Sequence, residues 1–84
     1  MNSESEIIQQ LQNKDQQALS LVYDRYSGAV YGVILRICKE EALAQDILQE
    51  VFMKVWNKSD QYNAKKGKFF TWIYQIARNS TLNA

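Results

Sequence analysis

A chain of 84 residues with no proline, three glycines and 46% hydrophobic side chains describes one small helical domain. Such a chain folds around a small core and not around a deep catalytic cavity. No histidine is present to serve as general base or metal ligand, and one cysteine can build neither an internal disulfide nor a thiolate zinc site. The net charge of +1 hides a division: residues 1–53 carry four basic and eight acidic side chains, residues 54–84 six basic and one acidic. A basic end on an acidic domain suits a polyanion, nucleic acid first among them, although a solvated charged surface has the same composition.

Ser3 followed by Glu6 has the spacing of a capping box and predicts a short helix from about Ser5 to Asn13, with Ile7, Ile8 and Leu11 buried. Asp15 then caps a second helix reaching about Cys38. Ala18, Leu19, Val22, Tyr26, Ala29, Val30, Val33, Ile34 and Ile37 repeat along it at three and four, the period of a buried helix face. Gly28 and Gly32 interrupt that helix at about 1 kcal/mol each against alanine, which close approach of another helix would explain. Cys38, in the apolar run VILRIC, is expected to be a buried structural thiol.

A third helix is predicted over Glu41 to Lys58, with acids at its positive end and lysines at its negative end. The polar stretch SDQYNAKKGK follows as a loop. A fourth helix starts near Phe69 and runs to the chain end, with Phe69, Phe70, Ile73, Ile76 and Ala77 on its inner face. Neither an internal repeat nor strand-like alternation is present. No apolar run approaches the roughly 18 residues of a membrane span, and MNSESEII lacks the basic start and apolar core of a signal peptide, so a cytoplasmic location is expected.

At about 100° per residue, Ala44, Ile47, Leu48, Val51, Phe52 and Val55 gather on one side of the third helix. Asp46, Gln49, Glu50, Met53 and Asn57 gather on the other. A solvated face would explain most of that stripe. Two features favour a partner-docking face instead. Glu50 has Lys54 four residues on, but Asp46 has only Glu50, and Met53 sets an apolar contact where water offers nothing.

In DQYNAKKGKFFTWIYQIARNS, aromatics alternate with cations. Lysines follow phosphates, and flat rings accept unstacked bases. Thr71, Gln75, Arg78 and Asn79 lie opposite the Phe69–Ile73–Ile76 face, and Gln, Arg and Asn suit base edges. Phe69, Phe70, Trp72 and Ile76 are expected in the core, and Tyr62, beside the lysines, is expected to be the exposed aromatic.

Three segments together, LVYDRYSGAVYGVILRI, AQDILQEVFMKVWNK and FFTWIYQIARNS, resemble region 2 of bacterial RNA polymerase sigma factors, the extracytoplasmic-function (ECF) group in particular. The resemblance covers about residues 15 to 83. Its most specific parts are D-x-x-Q-E-x-F, formed by Asp46, Gln49, Glu50 and Phe52, and F-x-x-W-I-x-x-I-A-R-N, which ends at Asn79. It implies an all-α, four-helix domain over residues 1–84; no enzymatic activity and no cofactor are expected from a sequence without histidine, a second cysteine or a Gly-rich phosphate loop. The resemblance implies that Asp46, Gln49 and Glu50 dock on the clamp helices of the core polymerase β′ subunit, with Met53 and Asn57 extending the patch by the helix geometry above.

The same resemblance implies promoter DNA as the second partner, bound as the single-stranded non-template strand of the minus-ten element with one base flipped into a small pocket. Tyr62, Lys54 and Asn79 correspond to that pocket's walls, with Asn63 beside Tyr62. Lys65, Lys66 and Lys68 correspond to phosphate contacts, and Thr71, Gln75 and Arg78 to DNA contacts from the last helix. An anti-sigma factor is the third partner implied. The family usually continues into a linker and a helix-turn-helix domain, region 4, so STLNA at the end of this sequence is read as the end of an isolated or truncated region 2. The competing reading is a helical interaction module that keeps only the polymerase or anti-sigma face and has no DNA role.

Overall fold

The structure, a computed structural model, describes residues 3–84. Four helices run in chain order: α1 (Glu4–Gln12), α2 (Gln16–Cys38), α3 (Glu41–Asn57) and α4 (Phe69–Leu82), with one 3-10 turn (Ser59–Gln61) after α3. The described residues contain no strand. The fold is therefore the all-α, four-helix arrangement expected.

Local chemistry starts the first two helices. Ser3 Oγ accepts the Glu6 N–H at 3.3 Å and lies 3.2 Å from the Glu6 carboxylate. The serine hydroxyl thus contacts both the backbone and the carboxylate of Glu6. Asp15 accepts the Gln17 N–H at 2.9 Å. α2 stops at Lys39, whose φ of 60° turns the chain left-handed while its N–H bonds Leu35 O at 2.8 Å. α3 and α4 begin without a side-chain cap. Their starts depend on packing, with Ala44 and Phe69 buried within the first turn of each.

α2, α3 and α4 each pack against the other two, and α1 lies on α2 and the 3-10 turn. Leu11, Val22, Val30, Ile34, Val51, Val55 and Ile73 are fully buried at the centre. Removing such side chains from water is worth about 1.5–3 kcal/mol each. On α2 the buried row is Ala18, Val22, Val30 and Ile34, with Tyr26 half-buried between them. Ala29 and Ile37, expected on that face, reach solvent: Ala29 is turned about 100° from the neighbouring Val30, and Ile37 about 60° from Ile34. Cys38 is half-buried and not enclosed; its thiol lies 3.5 Å from Glu40 O.

The two glycines of α2 do not serve close packing. No atom lies within 4 Å of a Cβ placed on Gly28 or Gly32, so no helix approaches there. Among the described residues, no helix is long and apolar enough to cross a membrane.

The open space around these glycines leaves only their helix cost. Gly28→Ala and Gly32→Ala should each stabilise the fold by about 1 kcal/mol. Urea denaturation measures this, and a loss of stability in either variant would show that the glycine has a packing role.

Candidate nucleic-acid and partner-binding surfaces

The lysine-bearing loop is held at both ends by one aromatic residue. Tyr62 is only 8% exposed. Its ring meets Phe69 edge-on at 5.1 Å and Trp72 at 5.5 Å, and its hydroxyl donates to Gly67 O at 2.8 Å. Phe69 and Trp72 stack at 5.9 Å. The loop thus leaves and re-enters the core across a single side chain. Asn63 shapes the turn between: its Oδ1 accepts the Lys65 N–H and its backbone carbonyl the Lys66 N–H, both at 2.9 Å.

This overturns the expectation that Tyr62 is an exposed ring. A phenol has a large apolar body and one polar tip, and here the body fills the core while Gly67 satisfies the tip. Burial pushes the Tyr62 hydroxyl pKa up, and the charge of Glu4 adds to the rise. Phe69 is core, as expected. Phe70, Trp72 and Ile76 are half-buried, so Trp72 is not enclosed by the core.

Between the loop and α4 lies a cleft of about 240 Å³. Asn63, Lys66 and Lys68 line it from the loop, and Thr71, Trp72 and Gln75 from α4. A shallower cleft of about 840 Å³ lies against the same loop, lined by Lys65, Lys66, Lys68, Phe70 and Glu4. Thr71, Gln75, Arg78 and Asn79 are all exposed on α4, the first three at helical neighbour spacing.

Lys54 does not join this group. It donates to Ser80 Oγ at 2.9 Å, sits 3.7 Å from Glu50, and lines a separate cleft with Asp46 and Asn83. Neither of these two clefts is lined by Lys54 or Asn79. Tyr62 lines both of those clefts, but Lys54 is drawn to the acid four residues before it and to Ser80 on α4, so Tyr62, Lys54 and Asn79 do not line one cleft.

On α3, Asp46, Gln49, Glu50, Met53 and Asn57 are all exposed, and Met53 is 65% accessible. Ala44, Ile47, Leu48, Val51, Phe52 and Val55 are buried opposite. The stripe borders an apolar cleft of about 440 Å³ made by Leu19, Phe52, Met53 and Trp56, with Gln16 and Gln49 at its rim. Tyr23 closes against Phe52 edge-on at 4.9 Å. Sequence reasoning missed the contribution of α2. Leu19 carried only a core signal, and nothing in the sequence pairs it with Met53.

This chain belongs to the sigma-70 region 2 family, whose model matches residues 22–84. It is similar to the ECF RNA polymerase sigma factor SigK of Mycobacterium sp. (strain KMS), 23% identical over 77 residues, and to that of Mycobacterium bovis (strain BCG / Pasteur 1173P2), 22% identical. These alignments cover 92% of this chain but 40% and 41% of the relatives, so the chain spans about two-fifths of their length. The fold is also similar to the NMR structure of an engineered region 2 of sigmaE in complex with GTAAAA. That likeness has a TM-score of 0.84 and 30% identity, and covers 98% of this chain and 88% of that one.

The raised pKa of Tyr62 gives a pH signature. Folded Tyr62 keeps its proton where the unfolded chain, at the usual value of 10.0, has lost it. Its stabilisation is therefore intact below pH 10.0 and declines as pH rises through the folded value. Tyr62→Phe forfeits one hydrogen bond, about 0.5–1.5 kcal/mol, and should start less stable at neutral pH. It should then lose less stability on alkaline titration than the parent chain, with Tyr26, also raised, common to both. Thermal midpoints across that range measure the difference, and parallel alkaline losses would contradict the burial of this hydroxyl.

Proposed function

We propose that this chain is the part of a bacterial transcription initiation factor that docks on core RNA polymerase through α3 and captures the opened minus-ten element on the basic loop and α4. The observation that carries the reading is the fold it shares, at 30% identity, with a region 2 solved in complex with GTAAAA. Residue chemistry supports it. Among the described residues the one ion pair is Lys54 with Glu50, so Lys65, Lys66 and Lys68 are available to phosphates. Each phosphate they neutralise releases counterions and makes binding salt-dependent.

The 240 Å³ cleft lies below the roughly 300–1,000 Å³ of sites for larger ligands and suits one flipped base. Trp72 offers it an aromatic side chain, and Asn63 and Gln75 offer amides that pair with base edges. Thr71, Arg78 and Asn79 continue the contact along α4. Tyr62 serves from beneath, as the anchor of the loop.

On the other surface, Asp46, Gln49 and Glu50 are the polar contacts for the β′ clamp helices, and Met53 and Asn57 extend the patch. The apolar cleft between α2 and α3 accepts a hydrophobic side chain of the docking partner. A regulatory anti-sigma factor would act by covering these surfaces, and the work is done in the cytoplasm, where polymerase and promoter meet.

Two measurements test the two surfaces separately. Fluorescence anisotropy with single-stranded GTAAAA should show binding that weakens with salt. Lys65→Ala, Lys66→Ala and Lys68→Ala should each lower the salt slope by about 0.7. Absence of salt-dependent binding would instead support an interaction module without a DNA role, and binding indifferent to these changes would remove the three lysines from the DNA contact. The Gln49→Ala/Glu50→Ala double variant should abolish pull-down of core polymerase while moving stability by no more than about 0.5 kcal/mol. Retained pull-down would remove α3 from the polymerase interface.

A further inference from the structure

α1 precedes the part of the chain that the family model matches, yet its last residue and the turn that follows it grip the start of the basic loop. The Gln12 carboxamide donates to two carbonyls, Ser59 O and Tyr62 O, each at 3.0 Å. These are the first residue of the 3-10 turn and the residue that anchors the loop. Both hydrogens of one amide are thereby used, from a residue 47 and 50 positions away.

Lys14 adds a second grip. Its ammonium donates to Ser59 Oγ at 3.0 Å and to Trp56 O, and stands 5.3 Å from the centre of the Trp56 ring. Ser59, 1% exposed, lies 3.3 Å from Leu11 O and 3.1 Å from Trp56 O through its hydroxyl. The backbone at Lys14 is unusual for a lysine. Its N–H bonds Leu11 O and the Asp15 N–H bonds Gln10 O, each at 3.0 Å, which closes the helix end in the manner that favours glycine. Lys14 holds a φ of 64° there, where a Cβ is a liability. Glycine would fit that backbone better, so what lysine contributes is its side chain.

We infer that α1 is a clamp for the nucleic-acid loop, with Gln12 and Lys14 as positioning residues that fix Ser59 and Tyr62 and so set the shape of the 240 Å³ cleft. The inference rests on the DNA-binding reading above. The clamp leaves the lysines' charge untouched. It acts on where Asn63 and Lys66 stand relative to Thr71, Trp72 and Gln75. Its loss therefore falls on base discrimination and not on phosphate attraction.

The experiment compares the chain with Gln12→Met, which keeps length and removes both donors, and with Lys14→Gly, which removes the side chain and relieves the backbone. Anisotropy is read with labelled single-stranded GTAAAA and with the shuffled hexamer AAGATA, over a salt series. Gln12→Met should weaken GTAAAA binding about tenfold, the equivalent of ~1.4 kcal/mol, with AAGATA and the salt slope nearly unchanged. Lys14→Gly should weaken GTAAAA by about threefold while its thermal midpoint holds or rises; a purely structural lysine would shift midpoint and affinity together. Amide exchange over residues 62–67 should quicken in both variants. Parent-like affinity and preference in both variants would overturn the clamp alone, provided the parent binds and the Lys65, Lys66 and Lys68 variants weaken it. A parent chain with no salt-dependent binding would overturn the clamp and the DNA-binding reading together.

Discussion

Tyr62 connects the lysine-bearing loop to the helical interior, and the rest of the basic surface depends on that connection. Its ring lies against Phe69 and Trp72 of α4, and its hydroxyl reaches Gly67 across the loop. A loop of three lysines would otherwise spread in water through mutual repulsion. Pinned at Tyr62 and Gly67, it projects its cations from a fixed base beside the outer face of α4. Aromatic burial therefore creates the groove, and charge gives the groove its preference for an anion.

The two surfaces use the same core from different directions. α3 buries Ile47, Leu48, Val51, Phe52 and Val55, which turns Asp46, Gln49, Glu50 and Met53 outward. α4 buries Phe69, Ile73 and Ala77, which turns Thr71, Gln75 and Arg78 outward. α2 packs on both and keeps the two faces in register. Lys54 stands at the junction, shared between Glu50 on its own helix and Ser80 on α4. Asp46 and Glu50 thus stand on the α3 stripe, while Lys65, Lys66 and Lys68 stand on the loop beside α4, with Glu4 at its edge.

Helices and their faces were legible because their causes are local. Ser3 and Asp15 cap the helices they precede, and the apolar period separates Asp46, Gln49 and Glu50 from the core without any knowledge of neighbours. The loop was not legible in the same way. An aromatic beside lysines looks alike whether it meets a base or fills the core, and only the nearness of Phe69 and Trp72 decides for Tyr62. Gly28 and Gly32 posed a similar ambiguity, since a missing side chain marks either a close neighbour or open space. Gln12 gave no signal at all, because its partners lie far along the chain. The apolar cleft needed both Leu19 and Met53, from helices whose pairing the sequence does not state.

In the proposed function nucleic acid is held by the pinned loop and the outer face of α4, away from the acidic stripe of α3. The most direct measurement is a nitrogen–proton NMR titration of the chain with single-stranded GTAAAA. The largest shifts should fall on Asn63 to Lys68 and on Thr71, Gln75 and Arg78, with Asp46, Gln49 and Met53 unmoved. Shifts centred on the α3 stripe, with the loop silent, would contradict that placement.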